Sequence, residues 1–141
     1  MDKPKYDKYF ITDCTNYRAA RAFGDSAYAN FDMTKVVEAF PEVTVNGNGV
    51  VYFKPHVMVK DFHLHDFDEF LFFQSANMAD MNDFDAEIEI EMGEEGEIYS
   101  IKSPTVLYVP AGLKHCPLNF KVINRPVFFF HVRALKTAKS E

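Results

Sequence analysis

The sequence predicts a mainly-β domain closed into a barrel or jelly roll, and three observations carry that prediction. From Val50 onward, short runs rich in Val, Ile, Tyr and Phe recur, each bounded by Pro, Gly or Asn. The segment AEIEIEMG, starting at Ala86, alternates with period two, so Ile88, Ile90 and Met92 face one way and Glu87, Glu89 and Glu91 the other. Aromatic residues make up 16% of the chain, with 15 Phe and no Trp, which supplies the rings to fill a barrel interior. Closing short strands into a barrel removes vulnerable sheet edges.

Residues 1–49 read as an N-terminal arm that packs on the barrel, with a short helical piece around NYRAARAF. Within it DMTKVVEAFPEV predicts a helix of two or three turns: Asp32 caps it, Val36, Val37 and Phe40 share one face, and Pro41 stops it. Asn46, Gly47, Asn48 and Gly49 mark a turn. The barrel then spans residues 50–134. Strands are expected over 50–60, broken at Pro55, and over 62–74, followed by a polar loop over 75–85. The glutamate ladder comes next, and its register is well fixed because a one-residue slip would bury three carboxylates. Glu94, Glu95 and Glu97 belong with that solvated face, and Gly93 and Gly96 supply the hairpin turn. Further strands are expected over 97–102, 105–109, 118–124 and 126–134, and 135–141 is a C-terminal tail.

At 141 residues the chain suits one domain with a sizeable core. A net charge of −6 repels polyanions and there is no basic stripe, which argues against nucleic acid as a partner. The start MDKPKYDKYF scatters charges and holds no long apolar run, so neither a signal peptide nor a membrane span is expected and a cytoplasmic setting follows. Cys14 and Cys116 are too few for a disulfide framework and are expected as free thiols, with Cys116 packing on the face opposite its neighbour His115.

The chemistry concentrates in two short segments. FHLHDFDEFLFF carries His63, His65 and Glu69 as H-x-H-x3-E; about forty residues later YVPAGLKHCPLNF carries P-x-G-x2-H-x3-N, from Pro110 through Gly112 and His115 to Asn119. His63, His65 and Glu69 share parity, so an unbroken strand would aim all three to one side. Equally, Asp66, Phe67 and Asp68 could form a turn that brings Glu69 in from the next strand. His115 follows Pro-Ala-Gly, where glycine permits a sharp re-aiming of the chain. A lone His is more often structural, but four such residues in two ordered motifs point to a single metal ion.

This pair of motifs resembles the two signature motifs of the cupin superfamily. The resemblance covers roughly residues 50–134 and implies a cupin-type double-stranded β-helix, or jelly-roll barrel, with one metal held by His63, His65, Glu69 and His115; Asn119 matches a position that is usually structural. Val57 and Pro104 stand where the two motifs ordinarily begin with Gly, and Ala76 replaces the Gly that closes the first; these departures bear on turns rather than on ligands. The stretch between motifs is longer than usual, making 75–85 an insertion that could border the pocket.

Three neutral imidazoles and one carboxylate suit a divalent Fe, Mn, Ni, Co or Zn ion and leave it a net charge of about +1, which favours an oxygen-rich small-molecule ligand. The resemblance permits dioxygenases, isomerases, decarboxylases, lyases and non-enzymatic binders, and an isomerase, lyase or dioxygenase is the first expectation. Its rivals are a non-catalytic binding module or sensor and a purely structural metal, since one fold hosts many activities. His56 and His131 are candidates for a general acid or base, although packing is the commoner role of such residues. A homodimer is expected, paired through the arm and exposed strand edges.

Overall fold

The computed structural model describes residues 4–12 and 26–134. The helical piece expected around NYRAARAF, Cys14 and the C-terminal tail lie outside the described residues. Among the described residues nine strands form two antiparallel sheets: β1 (Ala27–Asp32), β2 (Val45–Tyr52), β3 (His56–Val59), β4 (Asp68–Ser75), β5 (Ala86–Met92), β6 (Glu97–Ile101), β7 (Thr105–Val109), β8 (His115–Ile123) and β9 (Val127–Ala134). One sheet has the order β1-β2-β9-β4-β7 and the other β3-β8-β5-β6, a jelly roll whose faces enclose one core.

Alternation decides what fills that core. Along β4 every second residue is buried, from Glu69 through Leu71 and Phe73 to Ser75. Ile88 and Ile90 of β5 are buried while Glu87 and Glu89 turn out to Lys102 and Lys121, at 3.8 and 3.3 Å. The centre is a cluster of rings: Tyr52 stacks on Phe120 at 3.9 Å, and Phe129 packs on Phe73 at 5.1 Å. All four are buried, and removing any one would cost about 3–5 kcal/mol.

The helix α1 (Thr34–Ala39) forms where the sequence places it but is only six residues long, and its N-cap is Met33, without a side-chain cap bond, rather than Asp32; the Asp32 carboxylate accepts from the Thr34 N–H at 2.6 Å. The Asn-Gly-Asn-Gly segment, however, is not a turn. It lies inside β2, which pairs with β9 throughout, Gly47 opposite Val132 and Gly49 opposite Phe130. The glycines serve close approach: a Cβ on Gly47 would sit 2.4 Å from the His131 carbonyl oxygen, and one on Gly49 would meet the Phe31 and Phe128 rings at 2.7 Å. The five-stranded sheet therefore reaches back to Ala27, and β1 and the start of β2 belong to it although the sequence pattern assigns residues before 50 to an arm.

Two further expectations change. The loop after β4 does not border the pocket: it leaves from Ser75, about 20 Å along the strand from Glu69, and is tied by Ala76 to Pro126 and by Asp85 to Asn124 and Arg125 at the far end of the barrel. Strand β8 begins at His115 rather than 118, and Cys116 does not face away from it. With φ at 82°, Cys116 breaks the alternation beside a register shift between Ile90 and Met92 on β5, so both residues point inward.

Candidate metal centre

The site lies at the end of the barrel where β2 and β8 begin and β7 and β9 finish. Of the two geometries open for the first motif, the turn is the one adopted. His63 pairs with His115 in an isolated backbone bridge, its N–H donating to the His115 carbonyl at 2.9 Å and the reverse bond spanning 3.0 Å. The chain then leaves the four-stranded sheet, and β4 starts at Asp68, so Glu69 arrives from the opposite sheet.

The Pro-Ala-Gly turn locks the two motifs together. Gly112 has φ +85°, and nothing crowds the place of its missing side chain, so it is required for backbone conformation rather than for space. Its N–H donates to the His65 carbonyl at 2.7 Å, and the Ala111 N–H donates to Asp68 Oδ1 at 3.0 Å. His65 is further held by stacking on buried Phe67, rings 4.6 Å apart and within 9° of parallel.

These supports bring one donor atom from each of His63, His65, Glu69 and His115 within 4.8 Å of one another. Bonds of about 2.1 Å to a shared ion would place opposing donors about 4.2 Å apart, so a slight contraction closes the set. His115 shows why a cation fits. Its Nδ1 lies 2.9 Å from the Leu113 carbonyl oxygen, which can only accept, so Nδ1 carries the proton and Nε2 presents a lone pair. That lone pair faces Glu69 Oε1 at 3.3 Å, and Nε2, fully buried, has no hydrogen-bond partner among the described residues. Two acceptors turned toward each other in a buried place require a positive charge between them, either a proton or a metal ion.

The titration behaviour agrees. Burial acts to raise the pKa of Glu69, but the close His115 and His131 rings outweigh it and hold the carboxyl well below the usual carboxylate range. Burial acts to lower that of His115, yet Glu69 and the Leu113 carbonyl prevail and raise it. His63 and His65 are lowered, chiefly by burial, and mutual repulsion among the imidazoles adds to this. Three of the four groups thus favour the protonation state a metal needs, and the fourth gives up its extra proton when an ion arrives.

The fold is a jelly roll of two antiparallel sheets. No protein-family profile matches the sequence, and no curated protein is similar enough in sequence to count as a relative. Solved structures do match. Iron(II) HppE is 15% identical over 64% of this chain and 42% of its own, with a TM-score of 0.44. Hydroxypropylphosphonic acid epoxidase from S. wedmorenis, in complex with fosfomycin, is 15% identical over 78% of this chain and 52% of its own, at 0.47. The EutQ protein of Clostridium difficile is 16% identical over 91% of this chain and 79% of its own, at 0.44. The chain spans about half the length of the first two, and likenesses this distant assign no activity.

A cavity of about 50 Å³ is lined by His63, Glu69 and His115, and also by Met58, Leu71, Cys116 and Phe129. Burial pushes the Cys116 thiol up to about 12, so it is a neutral packing group there. His131 is the functional candidate whose place the sequence left open. It lines the cavity with Nδ1 3.5 Å from Glu69 Oε2. His56 lies away from the site, its ring 6.0 Å from that of Tyr52. Asn48 and Arg133, which the sequence did not single out, do not line this cavity but stand across the strands from His131 and Glu69; the parity of Phe129, His131 and Arg133 signalled the second, while the misread turn hid the first.

Proposed function

We propose that the protein holds one divalent transition metal on His63, His65, Glu69 and His115 and is an enzyme acting on a small oxygenated molecule. The facing acceptors, His115 Nε2 and Glu69 Oε1, carry this reading. A bound ion of this kind would supply Lewis acidity at a substrate oxygen, and redox chemistry as well if it is iron. The chain's own contribution is positional. The Leu113 carbonyl fixes the His115 tautomer, and Phe67 fixes the plane of His65. Leu71, Leu118 and Phe129 exclude water from the inner side of the cavity. His131 lines the cavity with Nδ1 turned to Glu69 Oε2, and is placed to hold or move a proton there.

The cavity favours catalysis over a structural metal, since structural sites close their shell and catalytic ones leave a position open. Elemental analysis of protein purified without added metal tests the reading, with one ion per chain expected and none in His63→Ala. Iron would direct attention to dioxygenase chemistry, zinc or manganese to isomerisation or elimination.

A homodimer is part of this proposal. The outer face of the five-stranded sheet carries Phe70 stacked on Tyr108 at 5.3 Å and Phe72 on Phe130 at 5.1 Å, with Val106 and Tyr108 exposed. Among the described residues no helix is long and apolar enough to cross a membrane. A cytoplasmic setting is proposed with it, and the buried Cys116 thiol is in keeping with a reducing compartment.

A further inference from the structure

Three buried polar atoms on one wall of the barrel have no hydrogen-bond partner among the described residues: Asn48 Oδ1, His131 Nδ1 and Arg133 Nε. They are not scattered. Asn48 stands directly opposite His131 across β2 and β9, and Arg133 directly opposite Glu69 across β9 and β4. Cross-strand partners in an antiparallel sheet share a face. All three therefore line the inner wall at the end that holds Glu69, next to the imidazoles. Arg133 has no ion pair among the described residues, and its charge reaches His65, where it adds to the larger effect of burial in lowering basicity. His131 Nδ1 already faces Glu69 Oε2 at 3.5 Å, but an unpaired buried donor or acceptor costs about 1–3 kcal/mol, and more when charged, so the atoms on Asn48 and Arg133 mark a place where a ligand completes the bonding.

The kinds of atom define the ligand. Arg133 offers N–H donors with a full positive charge, in the fork geometry that matches a carboxylate. Asn48 Oδ1 is an acceptor and takes a hydroxyl hydrogen. We infer that Asn48 and Arg133 form a substrate-binding wall beside the metal centre and that the substrate is a small hydroxycarboxylate, its carboxylate accepting from Arg133 and its hydroxyl donating to Asn48. This rests on the metal reading above and names the substrate class for that site. Arg133 is a binding residue here, not a support for the metal.

The test uses full-length protein loaded with Co(II), titrated with glycolate as the hydroxycarboxylate probe and with imidazole as a neutral metal ligand. Cobalt content, the visible spectrum and calorimetry are the readouts. The expectation is that Arg133→Gln keeps one cobalt per chain and binds imidazole as the wild type does, but binds glycolate about tenfold more weakly or worse, the loss that follows removal of a charge-assisted hydrogen bond. Arg133→Lys, which keeps the charge and loses the fork, falls between the two. Asn48→Ala weakens glycolate and leaves acetate, which lacks the hydroxyl, unchanged. Unaltered glycolate binding in Arg133→Gln overturns the inference. So does loss of cobalt from that variant, an equal weakening of imidazole, or a cobalt-loaded wild type that ignores glycolate. A wild type that takes up no metal sinks the metal reading itself, a separate and recognisable failure.

Discussion

Replacing Glu69 with Gln keeps the shape of the buried side chain and removes the one anionic donor from the centre. In the wild type an ion present at a hundred times its dissociation constant stabilises the fold by about 2.7 kcal/mol, which for a domain of this size raises Tm by about 10 °C. Loss of a partner that merely orients a metal ligand weakens binding by about 10- to 100-fold, and loss of the carboxylate itself does at least as much. At a hundredfold weaker affinity the same metal concentration contributes only about 0.4 kcal/mol, a shift of about 1–2 °C. The metal-free variant should stay folded, since the core rings around Phe73 and Phe129 lie deeper in the barrel and do not depend on the site. Scanning calorimetry with and without metal, paired with elemental analysis, measures both quantities. A Glu69→Gln protein that keeps one ion and the full 10 °C response would refute the reasoning. A chelator-stripped wild type that unfolds would show instead that the metal is structural.

The pH response of the metal-free protein follows from the signs of the shifts. His115 is raised, so the stability it contributes is present below about pH 6.5 and lost as pH climbs through its folded value; His63 and His65 are lowered, so theirs is lost as pH falls below about 6.5. Tm of the metal-free protein should therefore peak near that pH and fall on both sides, and metal should abolish the alkaline decline by taking the place of the His115 proton; a metal-free profile still rising at pH 8 would contradict this. His115→Ala should release the metal and cost about 2–4 kcal/mol, because it empties a buried position beside the cavity, as denaturant unfolding will show. Gly47→Ala should destabilise by about 1–3 kcal/mol and weaken metal binding, since its Cβ presses on the backbone of His131, whereas a turn glycine would tolerate the change; thermal unfolding separates the two. Tyr108→Glu, on the exposed aromatic face, should convert a dimer to a monomer in sedimentation, and a monomeric wild type would remove the dimer proposal.

Much of the barrel was legible because alternation is a local property. The Glu87, Glu89, Glu91 ladder fixed β5 to within a residue, and Pro55, Pro104 and Pro126 marked breaks that the backbone respects. The four residues proposed to hold a metal could be singled out because they fall in two ordered motifs, and the structure brings one donor atom of each within 4.8 Å of the others. The Asn-Gly-Asn-Gly segment was illegible because glycine signals a turn and a close approach with the same letters, and only the facing strand tells them apart. Cys116 was misplaced because its left-handed backbone interrupts a parity that the sequence could only assume to be unbroken.

The sequence by itself determined the strand pattern, the acidic outer face and the set of residues able to hold an ion, since each depends on residue type and short-range spacing. Only the tertiary structure decided that Glu69 reaches the site from the opposite sheet, that the tautomer of His115 is set by the Leu113 carbonyl, and that Asn48, His131 and Arg133 gather on one wall. Those facts depend on pairing between strands far apart along the chain, and register across a barrel is fixed by the packing of the whole core rather than by any segment of it.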